Sequence, residues 1–188
     1  DDTQVTDTSG TQTGLLGDQA TATWKTGTST TESLVSPAKI RDSSVGQVLT
    51  DVYSSEATIS TVIPRDDTTP TSSEGTEILS VTITPKSAAS RFKLTVNVGS
   101  GETSSSGVNV IFTAFRDSET SAFSAAQLTN QNNGTDNLGG VALCVVDAPA
   151  TAAAITYKVR VGPHTGTLNL NTLYGTAGYT HLIVEEIL

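Results

Sequence analysis

Between residues 155 and 161 the chain reads Ile-Thr-Tyr-Lys-Val-Arg-Val, with every odd-numbered position apolar and every even-numbered one polar. Successive side chains of a strand point to opposite faces, so this order puts Ile155, Tyr157, Val159 and Val161 in a core and the polar residues in water. No helix gathers those four side chains on one stripe. The same alternation runs through Arg91-Phe92-Lys93-Leu94-Thr95-Val96-Asn97-Val98, and Leu79, Val81 and Ile83 repeat it before Pro85. Phe92, Leu94, Val96, Tyr157, Val159 and Val161 are therefore expected to share one core.

Around these runs the chain reads as strand after strand, near residues 47–53, 57–63, 77–84, 91–98, 108–116, 122–127, 140–146, 155–161, 167–174 and 181–187. Gly, Asn and Pro turns separate them, with 84–90 the clearest turn. Regular short strands of this kind point to a sandwich or barrel. Alternating strand and helix units, which an α/β enzyme fold requires, are missing. The expected fold is all-β, an antiparallel jelly-roll-like β-sandwich over residues 46–188.

The N-terminal part differs. Residues 1–35 form a low-complexity arm rich in Thr, Ser, Gln and Gly, with few apolar residues beyond Val5, Leu15, Leu16 and Trp24. Such a segment buries too little surface to offset its own ordering entropy. It is either a flexible linker or a segment ordered by wrapping around partner chains; a lone indole such as Trp24 favours the second. Residues 36–45 read as a short helix near 37–42 and a linker, with Ser36 as N-cap and Pro37 in the first turn.

Only 15% of residues are charged, and the balance of 10 basic against 19 acidic gives a net charge of −9. That surface repels phosphate backbones and anionic headgroups, so neither nucleic acid nor a membrane is an expected partner. No apolar run approaches the roughly 20 residues of a membrane span. The chain has no methionine, so residue 1 is read as the start of a fragment or of a processed product. Its one cysteine, Cys144, excludes an intrachain disulfide. Cys144 lies in Val141-Ala142-Leu143-Cys144-Val145-Val146 and is expected to be a small buried hydrophobe.

Chemistry-bearing patterns are sparse. His164 sits in a Gly/Pro turn and His181 in the last strand, without zinc-ligand spacing. There is neither a Gly-x-Ser-x-Gly elbow nor a phosphate loop. Asp66-Asp67 and Glu185-Glu186 are neighbours, and in extended chain neighbours point apart. One of Glu185 and Glu186 is expected to point inward or into an interface, and a buried carboxylate there needs a partner such as Arg160, Lys158 or Arg116. The polar stretch 130–137, Asn-Gln-Asn-Asn-Gly-Thr-Asp-Asn, lacks calcium-loop spacing and reads as an exposed hairpin loop. No cofactor, metal or catalytic residue is expected.

Two stretches resemble a known family. The Pro-Ala-Thr loop at 149–151, the Tyr157-Lys158-Val159-Arg160-Val161 strand, the Thr167-Leu168-Asn169-Leu170-Asn171 strand and the terminal strand with Glu186-Ile187 look like the C-terminal β-sandwich of bacteriophage tail-fibre and head-fibre proteins. Trp24 to Arg41, with its Gly-Thr stretch and Val35-Ser36-Pro37 followed by Ile40, resembles a short module of tail-fibre shafts. The resemblance implies a homotrimer and a non-enzymatic virion protein. It further implies the receptor-binding end of a tail fibre that meets a host surface glycan or protein, with the N-terminal arm attached to other virion proteins. The alternative within the family is a capsid-attached head fibre or decoration protein. Loops at one end of such a sandwich are where variable contacts fall. The expected contact residues are Asn132, Asn133 and Asp136 in one loop, and Tyr174 and Tyr179, whose rings can stack on a saccharide, in another. The opposing view is that the tyrosines cap the core and the Asn-rich loop keeps the tip soluble.

Overall fold

The computed structural model describes residues 46–129, 139–174 and 177–188. The expected arm at 1–35, the helix and linker at 36–45, and Asn132, Asn133 and Asp136 lie outside the described residues. Gln47–Ile187 forms one unit. Its strands are β1 (Val48–Tyr53), β2 (Ala57–Ile59), β3 (Thr76–Ile83), β4 (Arg91–Val98), β5 (Gly101–Thr103), β6 (Asn109–Arg116), β7 (Ser124–Thr129), β8 (Gly140–Asp147), β9 (Ile155–Pro163), β10 (Leu168–Leu170) and β11 (Thr180–Ile187).

The topology is that of one long antiparallel hairpin rolled up. β1 pairs with β11, β2 with β10, β3 with β9, β4 with β8 and β6 with β7, each pair nested inside the last. Rolling then adds the contacts of β11 with β4 and of β9 with β6. Two four-stranded sheets result, β1-β11-β4-β8 and β3-β9-β6-β7. This is the jelly-roll sandwich that the alternating runs pointed to. The small sheet β2-β10-β5 lies where three chain segments cross between the large sheets.

The core sits between the large sheets, where the alternation put it. Phe92, Leu94, Val96, Tyr157, Val159 and Val161 are all fully buried. Leu79, Val81, Ile83, Phe112, Leu182 and Val184 complete it from neighbouring strands. Tyr157 bridges the two sheets: its ring lies 5.8 Å from Phe92 and 6.1 Å from Phe123. Its hydroxyl donates to Asp147 Oδ2 at 2.8 Å. Arg116 donates to both oxygens of the same carboxylate at 3.2 and 3.3 Å. Burial, and then the nearby Asp147, push the Tyr157 phenol above its ordinary range.

Several expectations need correction. Cys144 is exposed, not buried. It faces outward from β8, the edge strand, opposite Thr95. The apolar run 141–146 covers both faces of that strand, so its hydrophobicity did not report burial. Glu186 does turn inward, but without the anticipated cations. Its oxygens accept from the Lys86 backbone N–H at 2.6 Å and the Gln47 amide at 3.0 Å. Arg116 is held by Asp147 and Glu119, and Arg160 by Glu77 and two backbone carbonyls. Two expected strands are shorter: β2 stops at Ile59, and β10 at Leu170 because Asn171 turns the chain with φ of 60°.

Candidate functional site

With the strands committed to packing, the loops at the small-sheet end are the candidate contact region. The C-terminal end of β4 meets the start of β8 through Val98 and Gly140, and the start of β11 meets the end of β1 through Thr180 and Tyr53. Both loops singled out from the sequence therefore join the first sheet at this end. Gly178 and Tyr179 pass tightly over Gly99, where an added Cβ would strike their backbone. Gly139, just past the Asn-rich stretch, is also close to Gly99: a Cβ there would be 3.5 Å from the Gly99 carbonyl oxygen.

Within the second loop the structure divides the residues by role. Tyr174 is 60% exposed. Tyr179 is half-buried, its ring edge-on to His181 at 6.2 Å. Asn171 is a buried hub that the sequence did not reveal. Its amide donates to the Tyr53 and Ser55 carbonyls at 2.7 and 3.1 Å, and its oxygen accepts from the Thr180 hydroxyl at 2.9 Å. Its backbone N–H donates to the Ser100 carbonyl at 3.0 Å. Four segments are tied at one residue, which makes the base of the loop rigid and leaves Tyr174 at its outer side. An Asn at a strand end is the usual occupant of a left-handed turn, and that was the available signal.

Elsewhere the polar groups are structural. His164 Nδ1 accepts from the Asn109 backbone N–H at 2.9 Å, and the His164 backbone N–H donates back to the Asn109 carbonyl at 2.9 Å. An open hollow of about 440 Å³ is lined by Pro64, Arg65, Asp66, Ile111 and Gln127 among others. Asp66 there accepts from both the hydroxyl and the backbone N–H of Thr68 at 2.6 and 3.0 Å, which lowers its pKa. A second hollow of about 230 Å³ includes Glu77, Asp117, Glu119, Lys158 and Arg160. Arg160 faces Glu77 at 3.7 Å there. Among the described residues no three His, Cys, Asp or Glu side chains converge on a metal position. Nor, among them, is any helix long and apolar enough to cross a membrane.

No family model matches the chain, and no curated protein does. Solved structures of infectious bursal disease virus share part of its outline. The VP2 subviral particle is 12% identical with a TM-score of 0.37, over 76% of this chain and 38% of that one. The Gx strain structure is 12% identical at 0.36, over 74% and 37%. The Gt strain structure is 16% identical at 0.33, over 76% and 38%. The chain thus spans under two fifths of the length of these proteins. At such scores and identities the likeness assigns it no function.

Proposed function

We propose that the chain is a non-enzymatic structural protein of a virion, the trimeric end of a bacteriophage tail fibre that attaches to the host surface. The observation that carries this reading is the rolled sandwich in which β9, β10 and β11 are formed by the stretches on which the fibre-module resemblance rests. A sandwich whose strands are used up in packing presents its loops, and those at the small-sheet end carry the groups suited to a sugar or protein surface. Tyr174 and Tyr179 offer ring faces, and Asn132, Asn133 and Asp136 offer adaptable hydrogen bonds. Three copies multiply weak contacts by avidity. Residues 1–35 are the attachment to the rest of the particle.

The test is adsorption of particles carrying Tyr174→Ser, Asn132→Ala and Asn133→Ala together in the full chain. Adsorption should fall while the particle still assembles. Unchanged adsorption removes these two loops as the contact surface. Unchanged adsorption after deletion of residues 46–188 removes host attachment altogether and moves the protein to the capsid surface, as a head fibre or decoration protein.

A further inference from the structure

A strap, the segment 60–75, crosses the outside of β3-β9-β6-β7 and is pinned along its length. The Ile63 N–H donates to the Pro163 carbonyl at 3.1 Å, Ser72 to Thr120 at 2.8 Å, and Ala122 back to the Pro70 carbonyl at 2.9 Å. Arg160 clamps its end through the Glu74 and Gly75 carbonyls, each at 2.8 Å. Ile111 and Phe115, which point outward from β6, are buried. Ala126 and Leu128 of β7 pack against the core, so Ala125 and Gln127 face outward, and both are exposed.

Between the strap and β7 lies the hollow of about 440 Å³. Ligand sites run from about 300 to 1,000 Å³. Ile111, Ala125, Pro64 and Pro70 give it an apolar lining that holds no aromatic ring among the described residues. Four polar side chains join them: Arg65, Asp66, Thr68 and Gln127. The two prolines fix φ on either side of the first three. Thr68 gives its hydroxyl and its backbone N–H to Asp66 Oδ1, which orients the carboxylate and leaves Oδ2 open as an acceptor. Among the described residues, the Arg65 guanidinium and the Gln127 side-chain amide have no hydrogen-bond partner.

These groups select a ligand by their chemistry. Arg65 and Asp66 cancel in charge, and the net charge of −9 repels phosphate and other anions. Without a ring to stack on, a nucleobase or an aromatic side chain gains little. A ring of neighbouring hydroxyls does match. Each hydroxyl both donates and accepts, and the hollow sets guanidinium and carboxamide donors beside carboxylate and carboxamide acceptors. The C–H face of such a ring packs on Ile111, Ala125 and the prolines. We infer that the hollow between the strap and β7 binds an uncharged saccharide unit. This adds a second contact to the loop end proposed above and depends neither on those loops nor on the trimer.

The test is a titration of the isotope-labelled full chain, followed by NMR, at millimolar ligand. The probes are the methyl glycosides of glucose, galactose, mannose, rhamnose and N-acetylglucosamine, the methyl glycoside of glucuronate, and a capped trialanine peptide. At least one neutral glycoside should shift the backbone amide signals of Arg65, Asp66, Thr68 and Gln127 saturably. Arg65→Ala with Gln127→Ala should melt like the parent and bind about tenfold more weakly, the loss of one hydrogen bond to a charged group. Ala125→Ile fills the floor from an exposed strand position and should weaken binding as well. Shifts confined to residues 171–179 would overturn the inference while supporting the loop end. Binding of the glucuronide or the peptide alone would overturn it too, as would no neutral glycoside binding, or parent-like binding by both variants.

Discussion

Tyr157 shows how much one side chain decides. It fills the gap between the sheets and hands its proton to a hydrogen bond with Asp147. Replacement by Phe keeps the packing and should cost about 1.5–3 kcal/mol, the range for a hydrogen bond to a charged group. The direction of its pKa shift also fixes a pH dependence. The folded phenol holds its proton beyond the ordinary value of 10.0, whereas the unfolded one does not. Its contribution is therefore complete below that pH and falls as pH rises past it, because ionisation then favours the unfolded chain. Denaturant midpoints should drop above that pH in the parent and drop less in Tyr157→Phe. Val96→Asp puts an unpaired carboxylate at a fully buried position and should cost several kcal/mol, on the order of 4. A parent-like melting curve would mean that this face is not the core. Asn171→Ala strips partners from the Tyr53 and Ser55 carbonyls and the Thr180 hydroxyl. The expected loss is about 2–4 kcal/mol, since a buried group left unpaired costs its desolvation. If stability holds, the hub is not what fixes the loop base.

Legibility in the sequence varied from element to element, for physical reasons. β4 and β9 stood out because each has one wet and one dry face, so the period of the strand is written into the residues. The bounds 91–98 and the core list needed nothing more. β8 is an edge strand with apolar residues on both faces, so its composition does not mark which face is buried. Cys144 was misjudged for that reason. β5, Gly101–Thr103, has no apolar residue and exists only because β10 pairs with it. Segment 60–75 was half-hidden: Ile63 looked like a strand residue, but it belongs to a strap that crosses the outside of the second sheet, where its side chain is buried. That strap is possible because Gly162 leaves room for it. A Cβ there would stand 2.5 Å from the Thr61 carbonyl oxygen and 3.2 Å from the Gly75 Cα. Gly162→Ala should therefore push the strap outward and destabilise the domain by about 1–3 kcal/mol. The first cleavage in limited proteolysis should move into residues 60–75. A cleavage pattern identical to the parent's would mean that the strap tolerates the methyl. Of the candidate contact site, the 171–179 loop was legible from its turn and polar residues, while the Asn171 anchor was not, because its Tyr53 and Ser55 partners lie more than a hundred residues away.

At the scale of the whole molecule, the nested pairing makes most contacts distant in sequence, with β1 closing on β11. A body of this kind folds as one cooperative unit and spends its strands internally. What remains for function includes a loop end, which the account gives to the host surface. The claim on which this depends is that the chain works as a trimer. Sedimentation equilibrium of the full chain at low micromolar concentration tests it most directly. The account predicts a single species of three 19.4 kDa chains. A folded, cooperatively melting species of one chain at that concentration would contradict it.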